Sequence, residues 1–332
     1  MTINEIAKLA NTSRGTVDRV INKRGDVNQE VEKRVIQIIN ETGYLSSKDK
    51  KLFSLSNSKI EIGVIIASLN NIFFDQILMG MKKALANQYR YSGLDLQIHK
   101  VRLFNDQEVI DAINSLSKKT RLLIVSASGN ETIERKIDSL NIPVITVSID
   151  MDCHNKIGFV GCDFYNSGAL AADVANLLQN TNSKAAVMIG SYSHQGHRQR
   201  LEGFKAKVDP NITILDPIQT FDDDEIGYQR TQAVLAKEHP DIIVFFGAGM
   251  AGGLKAIKEY QGKVRVVTVD EIPEVVEGLH SGLVSASVSQ FPLTQGKKCI
   301  EIAYDYLVKG QKQLRVIKVA NAVLLKDSVL PY

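Results

Sequence analysis

The sequence predicts a small all-α head joined to an α/β body of two lobes, each lobe a doubly wound parallel sheet. Three observations carry that expectation. The first forty-odd residues hold three short amphipathic helix patterns, each opened by a capping residue. From residue 60 onward, apolar β-rich runs alternate with helical stretches, which is how parallel strands joined by crossover helices read. Roughly ten such runs share the body, which suits two sheets better than one.

Composition bounds the function classes. A chain of 332 residues exceeds a typical single domain, and 44% hydrophobic with 23% charged residues is ordinary for a soluble globular protein. No apolar stretch approaches the roughly 20 residues that span a bilayer. The opening MTINEIAKLA lacks the basic and then apolar regions of a secretory signal. Cys153, Cys162 and Cys299 are an odd, widely spaced set and make no disulfide framework. Together these predict a cytoplasmic protein. Charge is uneven: residues 1–51 hold ten Lys and Arg against seven Asp and Glu, and the rest of the chain holds 30 of each sign. A basic head on a neutral body suits contact with a polyanion.

In the head, Thr2-Ile3-Asn4-Glu5 reads as a capping box, and Ile6, Ala7 and Ala10 line one face of the helix it opens. Asn11-Thr12 interrupts. Ser13 caps a second helix with apolar positions Val17, Val20 and Ile21. After the turn Lys23-Arg24-Gly25-Asp26, Asn28 caps a third, with Val31, Val35, Ile38 and Ile39 inward and Gly43 as its stop. Three such helices, with a three-residue break between the first two, make a helix-turn-helix. The second helix turns Arg14, Gly15, Asp18 and Arg19 outward, and its N-terminal end suits a major groove, where Arg pairs with guanine edges. Thr16, Asn22, Lys23 and Arg24 suit phosphates, and Thr2, Ser13 and Asp26 complete the expected DNA-facing set.

The pattern T-I-x-x-I-A-x-x-A-x-x-S-x-x-T-V-x-R-V-I-N over residues 2–22, continued by Val27, Val35 and Gly43-Tyr44, resembles the headpiece of the lactose-repressor (LacI) family. The resemblance implies base reading by Arg14, Gly15 and Arg19, although Gly15 offers no side chain. It also implies a hinge over 46–58 that becomes helical on DNA and wedges an apolar side chain into the minor groove. This tether lacks the family's usual Pro and Ala. Lys48, Lys50 and Lys51 are expected on phosphates, with Leu52 or Phe53 as the wedge, and a flexible polar linker is the alternative in the unbound protein.

In the body, strands are expected at 60–67, 94–100, 121–126, 143–148, 157–160, 185–190, 211–215, 241–246, 264–269 and 284–288, with short strands again over 314–325. Helices fill most gaps, among them 74–90, 165–179, 196–207 and 223–237. Ligands of doubly wound sheets gather at the carboxyl ends of strands. There the chain places Asn71, Phe73 and Phe74, then Ser148 and Asp150, then His194, His197 and Arg198, then Phe221 and Asp222, then Gly247, Asp270 and Gln290. Planar polar groups make paired bonds to neighbouring hydroxyls, and flat rings cover apolar C–H faces, as sugar binding requires.

The stretches SLNNIFF, RQRLEGF, VTVD and SVSQFP extend the resemblance to the periplasmic sugar-binding-protein fold (type I), nearest the ribose-binding type, which LacI-type regulators use as an effector domain. That pattern implies hydroxyl contacts from Asn71, Arg198, Asp270 and Gln290, with Phe73, Phe74 and Phe221 packed on the ring and Asp222 beside them. It implies three inter-lobe crossings, near 161–165, 289–293 and 319–322. Two departures stand out: Ser148-Ile149 replaces a usual Asp-Arg, with Asp150 a substitute, and Phe246-Gly247 replaces a usual Asn. The expected division is a head at 1–45, a linker at 46–59, a first lobe at 60–161 plus 291–318, and a second at 162–290 plus 319–332.

Rival chemistries have weaker footing. Gly247-x-Gly249-x-x-Gly252 after an apolar run, with Asp270 ending the next run, reads like a dinucleotide turn. It lies in the middle of a lobe instead of opening one, and glycine turns also arise where backbones approach closely. His194-x-x-His197 lacks a zincin glutamate, Cys153-His154…Cys162 lacks a second pair, and Asp222-Asp223-Asp224-Glu225 opens a helix, as acids do. There is no G-x-S-x-G nucleophile elbow. No metal, cofactor or catalysis is expected. The expectation is a sequence-specific DNA-binding repressor, a homodimer whose operator affinity is set by a monosaccharide or derivative held between the lobes. A non-sugar effector (nucleoside, polyol or sugar phosphate) and an enzyme built on the Gly247–Gly252 turn stay as alternatives.

Overall fold

The computed structural model describes residues 2–22, 27–42, 44, 59–69, 71–90, 92–102, 105–179 and 182–329. Lys23, Arg24, Asp26, Lys48, Lys50, Lys51, Leu52 and Phe53, the stop Gly43, the hinge and the side chain of Asn22 lie outside the described residues.

Three helices form the head: α1 (Ile3–Leu9), α2 (Arg14–Asn22) and α3 (Gln29–Thr42). The capping box is present, with Glu5 N–H donating to Thr2 Oγ1 at 3.4 Å and Thr2 N–H to Glu5 Oε2 at 2.7 Å. Ser13 Oγ accepts from Thr16 N–H at 3.0 Å, and Asn28 Oδ1 from Glu30 N–H at 2.9 Å. Asn11, at φ 47°, makes the left-handed bend between α1 and α2. Ile6, Ala7, Ala10, Val17, Val20, Val35 and Ile39 close a core, with Ile21, Val31 and Ile38 packed on it.

The body begins with β1 (Ile60–Ile66), α4 (Ile72–Asn87), β2 (Leu94–Lys100), α5 (Asp106–Leu116), β3 (Leu122–Val125), α6 (Glu131–Asp138), β4 (Val144–Val147) and β5 (Lys156–Cys162). It continues through α7 (Phe164–Leu178), β6 (Ser183–Ile189), α8 (Gln195–Lys207), β7 (Ile212–Ile214), β8 (Ile218–Gln219), α9 (Asp224–Glu238) and β9 (Ile242–Phe245). The last elements are α10 (Met250–Glu259), β10 (Arg265–Val269), α11 (Pro273–Ser281), β11 (Ala286–Ser289), α12 (Pro292–Leu307), β12 (Arg315–Val319) and β13 (Ala322–Leu324). Among the described residues, no helix is long and apolar enough to cross a membrane.

The strands form two sheets. The first runs β12-β5-β4-β3-β1-β2, parallel throughout. The second runs β13-β11-β10-β9-β6-β7, with β8 also on β6, and is parallel except where β13 meets β11. Helices cover both faces, so the inner strands such as β3, β4 and β9 are buried on both sides and read as unbroken apolar runs, while the edge strands β2 and β12 are partly exposed. The chain crosses between lobes after β5, after β11 and between β12 and β13. Asn321, on the last crossing, donates from Nδ2 to the Asp163 carbonyl on the first, at 2.7 Å.

Helices α7 and α8 touch backbone to backbone. A Cβ on Gly168 would lie 1.9 Å from the Arg200 carbonyl oxygen, and one on Gly203 would lie 2.0 Å from that of Tyr165. This contact fixes where α8 carries its inward face.

Candidate functional site

Strand ends of both sheets converge between the lobes. Asn71 caps α4, its Oδ1 accepting from Phe73 N–H at 3.1 Å, so the cap delivers Phe73 and Phe74 to the cleft. Ser148 follows β4, and Phe164 opens α7 directly after the first crossing. The second lobe brings His194, His197 and Arg200 from α8, Asp222 after β8, Gly247 and Ala248 after β9, and Asp270 after β10. Gln290 arrives on the second crossing. With the lobes as they stand these residues line a cavity of about 40 Å³, so any ligand larger than a few waters enters only as the lobes part. Beside it lies a second cavity of about 100 Å³, reached past Asn71, Phe73, Ala248 and Asp270.

Ser148 (φ 67°), Asp222 (φ 56°) and Asp270 (φ 67°) all hold left-handed backbone just past strand ends. Such conformations are strained for residues with a Cβ, and they gather where the surrounding structure must aim a side chain.

Hydrogen bonds orient the polar lining. Asp222 Oδ1 accepts from Ala248 N–H at 2.8 Å, and His197 Nε2 lies 4.0 Å away from it. Gln290 Nε2 donates to Asp270 Oδ1, while its Oε1 accepts from Cys162 Sγ at 3.1 Å. Arg200 stacks on the Phe164 ring at 4.8 Å and donates from Nη1 to the Phe246 carbonyl at 3.1 Å. Burial dominates the titration of the site. It pushes the Asp270 carboxyl up to about 6 and raises that of Asp222, against the pull of Arg200. It pushes His194 down to about 4 and His197 well below the ordinary histidine value, so both imidazoles are neutral at pH 7. Desolvation likewise raises the Cys162 thiol to about 12, leaving it an inert hydrogen-bond donor.

The glycine turn has a packing role. A Cβ on Gly252 would stand 1.7 Å from the Asp224 carbonyl oxygen, and one on Gly227 would stand 2.0 Å from that of Gly249, so α9 and α10 meet backbone to backbone. Gly249 itself needs φ 85°. The amides a pyrophosphate would use face carboxylates instead: Ala248 N–H donates to Asp222, and Gly252 N–H to Asp224 at 3.4 Å.

On the head, Arg14, Gly15 and Arg19 are exposed on α2, the face turned from the core. Thr16 is half-buried and bonded to Ser13, Oγ1 to Oγ at 2.9 Å. Thr2 and Ser13 both serve as helix caps.

Residues 2–47 match the family described as bacterial regulatory proteins, lacI family, and residues 62–312 match the periplasmic binding protein domain. The chain belongs to the periplasmic binding protein domain family through its body, and its head carries the lacI-family domain. The HTH-type transcriptional regulator MalR of Clostridium butyricum is 27% identical over 271 residues, 78% of this chain and 77% of that protein. The ribose import binding protein of Escherichia coli K12 is 25% identical over 263 residues, 77% of this chain and 87% of that protein. In fold, the body matches a glucose-galactose binding protein from Geobacillus stearothermophilus with TM-score 0.72 at 21% identity, over 82% of this chain and 99% of that one.

The cleft gathers Asn71, Phe73, Phe74, Ser148, His194, His197, Asp222, Gly247, Asp270 and Gln290, ten of the residues expected there. Three others are placed elsewhere. Arg198 is exposed and bonds the Tyr192 carbonyl, because the α8 period turns His197, Arg200, Leu201 and Phe204 inward; the cleft arginine is Arg200. Phe221 is 51% exposed, at φ 54°, with Arg230 over its ring, and Phe164 is the aromatic in the cleft. Asp150 is held outside by Lys156 at 2.9 Å and Thr146 at 3.1 Å. Sequence reasoning missed Arg200, Phe164 and Ala248. For Arg200 a signal existed, since it lies four residues before the inward Phe204.

Proposed function

We propose that this regulator is an operator-binding repressor controlled by a monosaccharide or derivative held between its lobes. The observation that carries the reading is one cavity lined from both lobes, by Asn71, Phe73 and Ser148 on one side and Arg200, Asp222 and Asp270 on the other, in a chain whose head exposes Arg14 and Arg19. Asn71, Arg200, Asp222 and Asp270 take ligand hydroxyls, Gln290 holds Asp270 in place, and Phe73, Phe74 and Phe164 cover the ring. Ligand names of the relatives agree: ribose, and glucose with galactose.

The working unit is a homodimer in the cytoplasm, where its DNA is, because one helix-turn-helix makes few base contacts and two-fold pairing doubles them. The functional division is head 1–45, linker 46–59, first lobe 60–161 plus 291–318 and second lobe 162–290 plus 319–332. Closure of the lobes resets the spacing of the two heads, and a ligand acts only by binding one state better than the other.

Selection from a random duplex library by the purified full-length protein, followed by anisotropy titration with and without a sugar panel, tests the reading. A two-fold symmetric motif should emerge, and at least one sugar should change affinity for it. Failure to enrich any sequence over random DNA would remove the operator, and affinity indifferent to every sugar would remove the effector class.

A further inference from the structure

The wall that α8 contributes to the cavity consists of hydrogen-bond donors. His194, His197 and Arg200 recur every three residues from the cap of α8 through its first turns, so they share a face. Gly196 N–H donates to His194 Nδ1 at 3.1 Å, which places the proton of that neutral imidazole on Nε2, while His197 Nδ1 lies 3.0 Å from the Ser191 amide nitrogen and 3.3 Å from the Ser191 carbonyl oxygen. Arg200 is 4% exposed and has Nη1 on the Phe246 carbonyl, while its buried Nε–H has no hydrogen-bond partner. That leaves the Nε–Nη2 edge of the guanidinium, two parallel N–H bonds whose spacing matches the two oxygens of a carboxylate. A buried donor left unmatched is destabilising, so the site is incomplete until an acceptor fills it. No acidic residue stands in the first turn of α8, so the positive end of the helix adds to the same field.

Asp222 and Asp270 supply the acceptors, each with one oxygen already engaged, by Ala248 N–H and by Gln290 respectively. Burial raises both carboxyls, which makes each readier to take a proton when an anion enters.

We propose that the effector is a sugar acid, its carboxylate held by the Nε–Nη2 edge of Arg200 beside His194 and His197, and its hydroxyls by Asp222, Asp270 and Asn71. The proposal rests on the sugar-binding reading above and narrows it.

Calorimetric titration of the full-length protein with matched pairs tests it: glucuronate with glucose, galacturonate with galactose, ribonate with ribose, and glucose 6-phosphate alone. At least one acid should bind about 10- to 100-fold tighter than its neutral partner, the range expected for hydrogen bonds to a charged group. Arg200→Lys keeps the charge but loses the planar edge, and should erase most of that ratio. A neutral sugar that outbinds its acid, or binding confined to the phosphate ester, overturns the sugar-acid proposal and leaves a carbohydrate effector standing. Silence across the whole panel overturns both. If Arg200→Lys does not fold, the wild-type ratios decide alone.

Discussion

His194 shows how burial, reinforced by the charges of Arg200 and Arg198, can decide a charge. Its folded value, pushed down to about 4, lies below the ordinary 6.5, so the unfolded chain binds the proton more readily. The stability it contributes is complete above pH 6.5 and is lost as pH falls from there toward 4. Between pH 7 and 5 that loss amounts to about 2 kcal/mol. Asp270, raised to about 6, runs the other way and gains over the same window, so comparison with a variant isolates the histidine. Denaturant midpoints of His194→Gln should fall less than those of wild type between pH 7 and 5; parallel falls would show that His194 titrates freely. On the head, Arg14→Ala should weaken binding to the selected operator by roughly 1–3 kcal/mol and binding to random duplex by much less. Equal losses on both would make Arg14 a phosphate contact. Residues were legible in the sequence where one position has one role, as at Asp270. The pair Arg198 and Arg200 was not, because two arginines two apart lie on opposite sides of a helix and only the phase of α8 separates them.

Elements were easier to read than residues. Parallel strands buried on both faces leave unbroken apolar runs, and the head helices begin at caps that the structure retains, Thr2, Ser13 and Asn28. Strand β8 escaped because two residues carry no periodicity. What no local pattern reports is how closely two helices pack. Gly168 looks like an ordinary helical glycine, yet it admits the Arg200 carbonyl to within 1.9 Å of where a Cβ would be. Gly168→Val should push α8 off α7, at roughly 1–3 kcal/mol of stability, and carry His197 and Arg200 out of register with Asp270. Effector affinity should then drop at least tenfold while operator binding by the head persists. Unchanged effector binding in a folded Gly168→Val would mean that the α7–α8 contact does not set the site.

At the scale of the molecule, the two-lobed plan was legible from the number of strand runs, but the bond that spans the mouth was not. Gln76 Nε2, on α4, donates to the Glu271 carbonyl of the other lobe at 3.1 Å, outside the cavity lining. Removing a bond of this kind costs about 1 kcal/mol, so Gln76→Ala should weaken effector binding by about fivefold through closure alone. Scattering profiles with saturating effector should become more extended in proportion, and an unaltered affinity would show that closure does not depend on Gln76. The last stretch of chain has its own consequence. β12 completes the edge of one sheet against β5 and β13 the edge of the other against β11, so residues 315–324 finish both lobes. A chain that lacks these ten residues holds two bare strand edges at once, each a template for a strand from another copy. Losing this one short segment therefore opens both lobes together to strand exchange.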